Sequence, residues 1–159
     1  MTRLARFARF ALDDRGASTI EFVVLTPIVF VLILATVELA LDMMVDASVQ
    51  IAAQAASRVG LTTSAPSSGS RSDQAQQIVN TILGGWTNIS GTTLSITMLT
   101  YGTYSNIGTT NVTTGMGGYG DVVSYNIAVT MPKGFTGLPK LFGIQQMVFQ
   151  RNYIVQNEK

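Results

Sequence analysis

Arg15-Gly16-Ala17-Ser18-Thr19-Ile20-Glu21-Phe22 leads directly into VVLTPIVFVLILATVELAL, residues 23–41. Phe22 to Val37 contains no charged side chain, and from Ile20 to Leu41 the only interruptions are Glu21 and Glu38. At ~1.5 Å per helical residue, 20–41 extends roughly 33 Å, enough to cross a hydrocarbon core of about 30 Å. Both acids sit near the ends, where burying a charge costs least. A carboxylate in so apolar a helix is still expensive unless something pairs with it, so Glu21 calls for a reason. One reason is local: Ser18-Thr19-Ile20-Glu21 has the S-x-x-E form of a capping box, in which Glu21 satisfies backbone donors at a helix start. Pro27 removes one backbone donor about two turns in, so a kink or a local loosening is expected there. That proline reads either as a source of pliability during packing or as a tolerated membrane proline.

Upstream, Met1 to Gly16 carries Arg3, Arg6, Arg9 and Arg15 against Asp13 and Asp14. With Leu4, Phe7 and Phe10 between the arginines, this is a short basic amphipathic pattern suited to an inner membrane face. After the span the next cation is Arg58, beyond Asp42 and Asp46. That asymmetry predicts a cytoplasmic N-terminus and an extracytoplasmic remainder. The helix is expected to continue to about Val59. Ala40, Met44, Ser48, Ala52, Ala56 and Gly60 recur every four residues, and such mostly small side chains permit close helix approach. The stalk's partner is either its own domain, above all for the last two turns, or a neighbouring subunit.

Composition narrows the function. The chain has 159 residues, a formal charge of +1, 12% charged residues, no Cys and no His, with mean hydropathy +0.32. That length suits a leader (1–16), a membrane and stalk helix (17–60) and one small extracytoplasmic domain (61–159). The near-neutral balance offers no basic patch for nucleic acid. Lack of His removes the commonest general base and metal ligand, and lack of Cys excludes disulfides and thiolate metal sites. Asp121 is the sole carboxylate between Asp73 and Glu158, which builds neither a paired-acid nor a metal site. The Gly-rich GMGGYG (115–120) is followed by neither a Lys nor a helix pattern, as a phosphate loop requires. The expectation is therefore no enzyme, no cofactor, no metal and no small-molecule substrate.

In the outer part, 61–72 reads as a Ser/Thr/Gly/Pro linker. A second helix follows, capped by Ser72, with Ala75, Ile78, Val79, Ile82, Leu83 and Trp86 on one face, ending at Gly84-Gly85. Trp86 reads as a core anchor. Period-two alternation marks strands at 92–100, 121–131 and 146–156, with Val123, Tyr125, Ile127, Val129 and Met131 on one face of the second. Residues 102–120 read as a long loop or a short edge hairpin. PKGFTGLPKLFG (132–143) is an irregular connection whose Phe135, Leu138, Leu141 and Phe142 are either buried or form a contact surface. The fold class expected is α+β: a long N-terminal helix, a second helix and a three- to four-stranded antiparallel sheet.

Three places resemble a known family. RGASTIEFVVLTPIVFVLILATVELAL (15–41), with Gly16, Glu21, Phe22, Pro27 and Glu38 in order, IAAQAASRVG (51–60), and the closing MVFQRNYIVQNEK (147–159) together resemble TadE-like minor pilins (pseudopilins) of the tight-adherence, or Flp, type IV pilus system. The resemblance implies that a prepilin peptidase cuts between Gly16 and Ala17, which leaves Glu21 fifth in the mature chain. Ala17 as the new first residue, in place of Phe or Met, departs from the larger type IVa pilins and supports the Flp branch. It implies that Glu21, with Phe22 beside it, pairs with the freed terminal amine of a neighbouring subunit during assembly. Its partners would be the peptidase, the major Flp pilin, other minor pilins and inner membrane lipid. Its implied role is initiation or tip assembly of the pilus; the alternative is an anchored adhesive or tip domain that contacts its target through 102–120.

Overall fold

The computed structural model describes residues 15–64 and 66–158. Most of the expected leader, including Arg3, Arg6 and Arg9, therefore lies outside the described residues. Helix α1 (Arg15–Leu61) runs unbroken through Pro27. Thr26 and Thr36 each donate their hydroxyl to the carbonyl four residues back, at 2.6 Å to Phe22 and 2.8 Å to Leu32. Both hydroxyls are thereby satisfied without leaving the helix. The segment around Ser18 is already helical, so Ser18 is not the cap that its S-x-x-E spacing predicted.

Helix α2 (Arg71–Thr87) is followed by strands β1 (Thr93–Thr100), β2 (Thr113–Thr114), β3 (Val122–Met131) and β4 (Met147–Gln156), with a short helix α3 (Leu138–Leu141) between the last two. The strands form one antiparallel sheet in the order β2-β1-β3-β4. This is the α+β architecture expected from the alternating segments, and the three long strands begin within one residue of their predicted starts. Residues 102–120 contain a 3-10 turn (Tyr104–Asn106) and the two-residue edge strand β2.

The core lies between one sheet face and the two long helices. From α1 come Val45, Val49, Ala52, Ala53 and Ala56, spaced i, i+4, i+7, i+8, i+11. From α2 come Ala75, Val79 and Leu83; from the sheet, Met98, Val123, Tyr125, Ile127, Val129 and Met131. Register stacks these into cross-strand rows: Leu94, Val129 and Phe149 in one, Met98, Tyr125 and Tyr153 in another. Each fully buried valine contributes on the order of 1.5–3 kcal/mol. Ala52, Ala56 and Gly60 of the four-residue repeat are buried on the chain's own domain, whereas Ala40 and Met44 are exposed. The small residues thus serve intramolecular packing at the far end of α1.

Two local expectations, on the cap and on the end of α2, are corrected, and a third, on the 132–143 connection, is resolved. The cap of α2 is Ser70, not Ser72: Ser70 Oγ accepts from the Asp73 N–H at 3.1 Å, and Asp73 accepts from the Ser70 N–H at 3.0 Å. Gly84-Gly85 do not end α2, which runs on to Thr87 because Leu83 and Trp86 on either side are held in the core. Burial there outweighs the roughly 1 kcal/mol that each helical Gly costs relative to Ala. In the 132–143 connection, Leu138 is buried and Phe135 packs edge-on against Trp86 with ring centroids 5.8 Å apart, but Leu141 and Phe142 face outward.

The far end of α1 is tied down by Arg71. Its guanidinium donates to the carbonyls of Thr62 at 2.9 Å and Gly60 at 3.3 Å, and to Gly117. The Gly60 carbonyl, in the last turn of α1, is one that a helix end leaves without an intrahelical partner. Asn157, buried after β4, donates to the carbonyls of Met116 at 2.7 Å and Gly118 at 2.9 Å, locking the 115–120 turn to the C-terminal strand.

Candidate processing and assembly segment

The sequence singled out Gly16, Ala17, Glu21, Phe22, Pro27 and Glu38, and all six lie on α1. Gly16 and Ala17 have helical backbone. Glu21 is exposed, and its helical neighbours Val24, Leu25 and Ile28, at i+3, i+4 and i+7, are exposed apolar residues. Phe22 and Pro27 are exposed as well. From Ile20 to Val37 nearly every large apolar side chain faces outward. Helix α1 passes the length and composition test for a membrane span, with none of its most apolar window buried against the rest of the chain. An apolar surface of that extent on a folded chain marks contact with lipid or with other apolar helices.

Glu38 behaves differently from Glu21. It is 5% exposed. Its Oε1 accepts the Phe135 N–H at 2.9 Å, and its Oε2 accepts both the Thr136 N–H and the Thr136 hydroxyl at 2.6 Å. The Gly134-Phe135-Thr136-Gly137 turn wraps the carboxylate so closely that a Cβ on Gly134 would lie 2.0 Å from Oε1, and Gly134 has φ +65°. A free carboxylate here would be costly; three charge-assisted hydrogen bonds make it the tie between α1 and the β3–β4 connection.

Glu38 begins a row of acids at i, i+4 and i+8, and the third also has a partner across the fold. Asp46 pairs with Arg151 of β4. Both side chains are more than a third exposed, so the pair contributes about 0.2–1 kcal/mol. These two ties were missed from sequence. The signals were present: Arg151 interrupts the apolar alternation between Phe149 and Tyr153, and the acids share the helix face of Val45 and Val49. Elsewhere, Asp121 accepts the Gly118 N–H at 2.6 Å and closes a turn. Among the described residues no three His, Cys, Asp or Glu gather as metal ligands would.

The geometry defines a class: an α+β protein hung on one long N-terminal helix whose first half is unclothed and apolar and whose second half is built into the core. A family model described as TadE-like protein matches residues 16–58. That segment is α1 from the Gly16–Ala17 step almost to its end, and over it the chain is similar to TadE-like proteins. Helix α1, which carries this segment, is long and apolar enough to cross a membrane. No curated protein and no solved structure matches the chain.

Proposed function

We propose that this chain is a minor pilin (pseudopilin) of a Tad/Flp pilus. In this reading a prepilin peptidase cleaves Gly16–Ala17, removing the 1–16 leader. The mature protein waits in the inner membrane, N-terminus cytoplasmic, with the 17–60 helix as span and stalk and 61–159 as an extracytoplasmic domain. Assembly draws the apolar half of α1 out of lipid into a bundle with the major Flp pilin and other minor pilins. Glu21 then neutralises the ammonium that cleavage creates on Ala17 of a neighbour, Phe22 packs beside that pair, and Pro27 gives the helix local give.

The observation that carries this reading is the exposed carboxylate of Glu21 on an otherwise apolar helical surface, within the TadE-like segment and five residues from the candidate cut. Cells producing Gly16→Ala should accumulate unprocessed protein. Cells producing Glu21→Ala should process it normally but release pili depleted of it by shearing. Wild-type content of both variants in sheared pili would overturn the assignment.

A second reading, an adhesive or tip domain, draws on Tyr104 and Tyr119, which are exposed at the 102–120 segment. Replacing both by Ser separates the two: an adhesin loses surface attachment with pili intact, and a minor pilin does not.

A further inference from the structure

The β3–β4 connection carries an exposed apolar patch outside α1. Leu141 is 80% and Phe142 72% exposed, with exposed Ile144 following and exposed Lys133 and Lys140 close in sequence. Its position along α1 is fixed, because Glu38 grips Phe135 and Thr136 and α3 packs on α1. On the side of α1 away from this contact, the exposed apolar surface does not stop at Glu38. Leu39, Met43 and Met44 continue it, at 63%, 67% and 56% exposure. At ~1.5 Å per residue, Met44 lies roughly 9 Å beyond the level at which the connection is attached. A bilayer that covers the apolar surface of α1 through Met44 therefore reaches the height of 132–144.

We propose that residues 132–144 form a second membrane contact, with Leu141 and Phe142 seated at the headgroup–acyl boundary of the leaflet from which α1 emerges. Lys133 and Lys140 flank them with ammonium groups for lipid phosphates, the usual arrangement of an interfacial segment. Lipid is the occupant because the connection that bears this patch is tied to α1 at Glu38, where the exposed apolar face of α1 runs past on the other side. The contact fixes the height and tilt of the sheet over the bilayer, which a single helix leaves undetermined. The proposal rests on α1 spanning the membrane, and its test separates the two.

The chain has no cysteine, so Phe142→Cys, Val31→Cys and Tyr104→Cys each introduce a unique site for a nitroxide. The full-length protein is reconstituted into vesicles of phosphatidylcholine with phosphatidylglycerol, and collision with oxygen is compared with collision with a water-soluble nickel chelate. The oxygen-to-nickel accessibility ratio at 142 should exceed that at 104 several-fold while staying below that at 31. Adding Lys133→Glu and Lys140→Glu should lower it. A ratio at 142 equal to that at 104, with 31 still lipid-exposed, overturns the interfacial contact and leaves the span intact. Low ratios at both 31 and 142 overturn the span and the contact together. Shielding of 142 from both reagents that grows with protein density means that another protein covers the patch, and also overturns the proposal.

Discussion

Gly60 and Tyr125 make a sharp test of how α1 is joined to the sheet. Gly60 lies in the last turn of α1, where a Cβ would stand 1.5 Å from the Tyr125 hydroxyl oxygen, 2.6 Å from its Cζ and 3.2 Å from Met116 Cε. Tyr125 is 1% exposed, so its ring has nowhere to go. On propensity alone Gly→Ala in a helix stabilises by roughly 0.5–1 kcal/mol. Overpacking a filled core costs typically about 1–3 kcal/mol, so Gly60→Ala should show a net loss of roughly 1–2 kcal/mol. For a chain of this size that lowers Tm by about 2–8 °C. The assay is thermal unfolding of the full chain in mild detergent, followed by near-ultraviolet circular dichroism. Tyr125→Phe removes a buried hydroxyl that finds no hydrogen-bond partner among the described residues, so alone it should cost little. Combined with Gly60→Ala it should recover only part of the loss, since the Cζ contact persists. A Gly60→Ala protein as stable as the wild type would refute this packing of α1 on β3.

The opposite sign is expected at Gly84 and Gly85, where an added Cβ meets nothing within 4 Å; Gly84→Ala and Gly85→Ala should each stabilise by roughly 0.5–1 kcal/mol in the same assay. Burial pushes the Tyr125 phenol up from 10.0 to about 12, partly opposed by Arg71. The folded state then favours the neutral phenol, so this contribution is complete below pH 10 and lost as pH rises from about 10 to 12. Tm measured against pH should fall less over that window in Tyr125→Phe than in the wild type. Glu38→Ala removes the shared acceptor of three hydrogen bonds and should loosen 133–138 by about 1.5–3 kcal/mol, read as faster amide exchange at Phe135 and Thr136 with α2 unaffected; unchanged exchange would show that the turn holds itself.

The large elements were readable because each carries a strong period. The apolar run fixes α1, and alternation from Val123 to Met131 fixes the central strand and its buried face. What sequence left out is what depends on groups distant in the chain. Glu38 reads as a charge near the end of the apolar span because two of its three donors are backbone N–H groups 97 and 98 residues away, and backbone donors carry no residue signature. The Gly134 and Gly137 turn that aims them is indistinguishable in sequence from any glycine-containing loop. Gly84-Gly85 look like a stop, yet α2 runs through them because tertiary burial of Leu83 and Trp86 overrides local propensity. The candidate processing site is a different case. Its signal is a spacing, Gly16 to Glu21, with meaning only for a second molecule, so the single chain positions the residues without supplying their partner.

The most direct test of the central claim is the intact mass of the protein extracted from membranes of cells that carry the pilus system. Cleavage between Gly16 and Ala17 predicts a mature species whose first residue is Ala17, and its loss when the peptidase is inactivated. Protein that always retains the residues upstream of Ala17, peptidase present or not, would contradict the claim and leave Glu21 without the cation proposed for it.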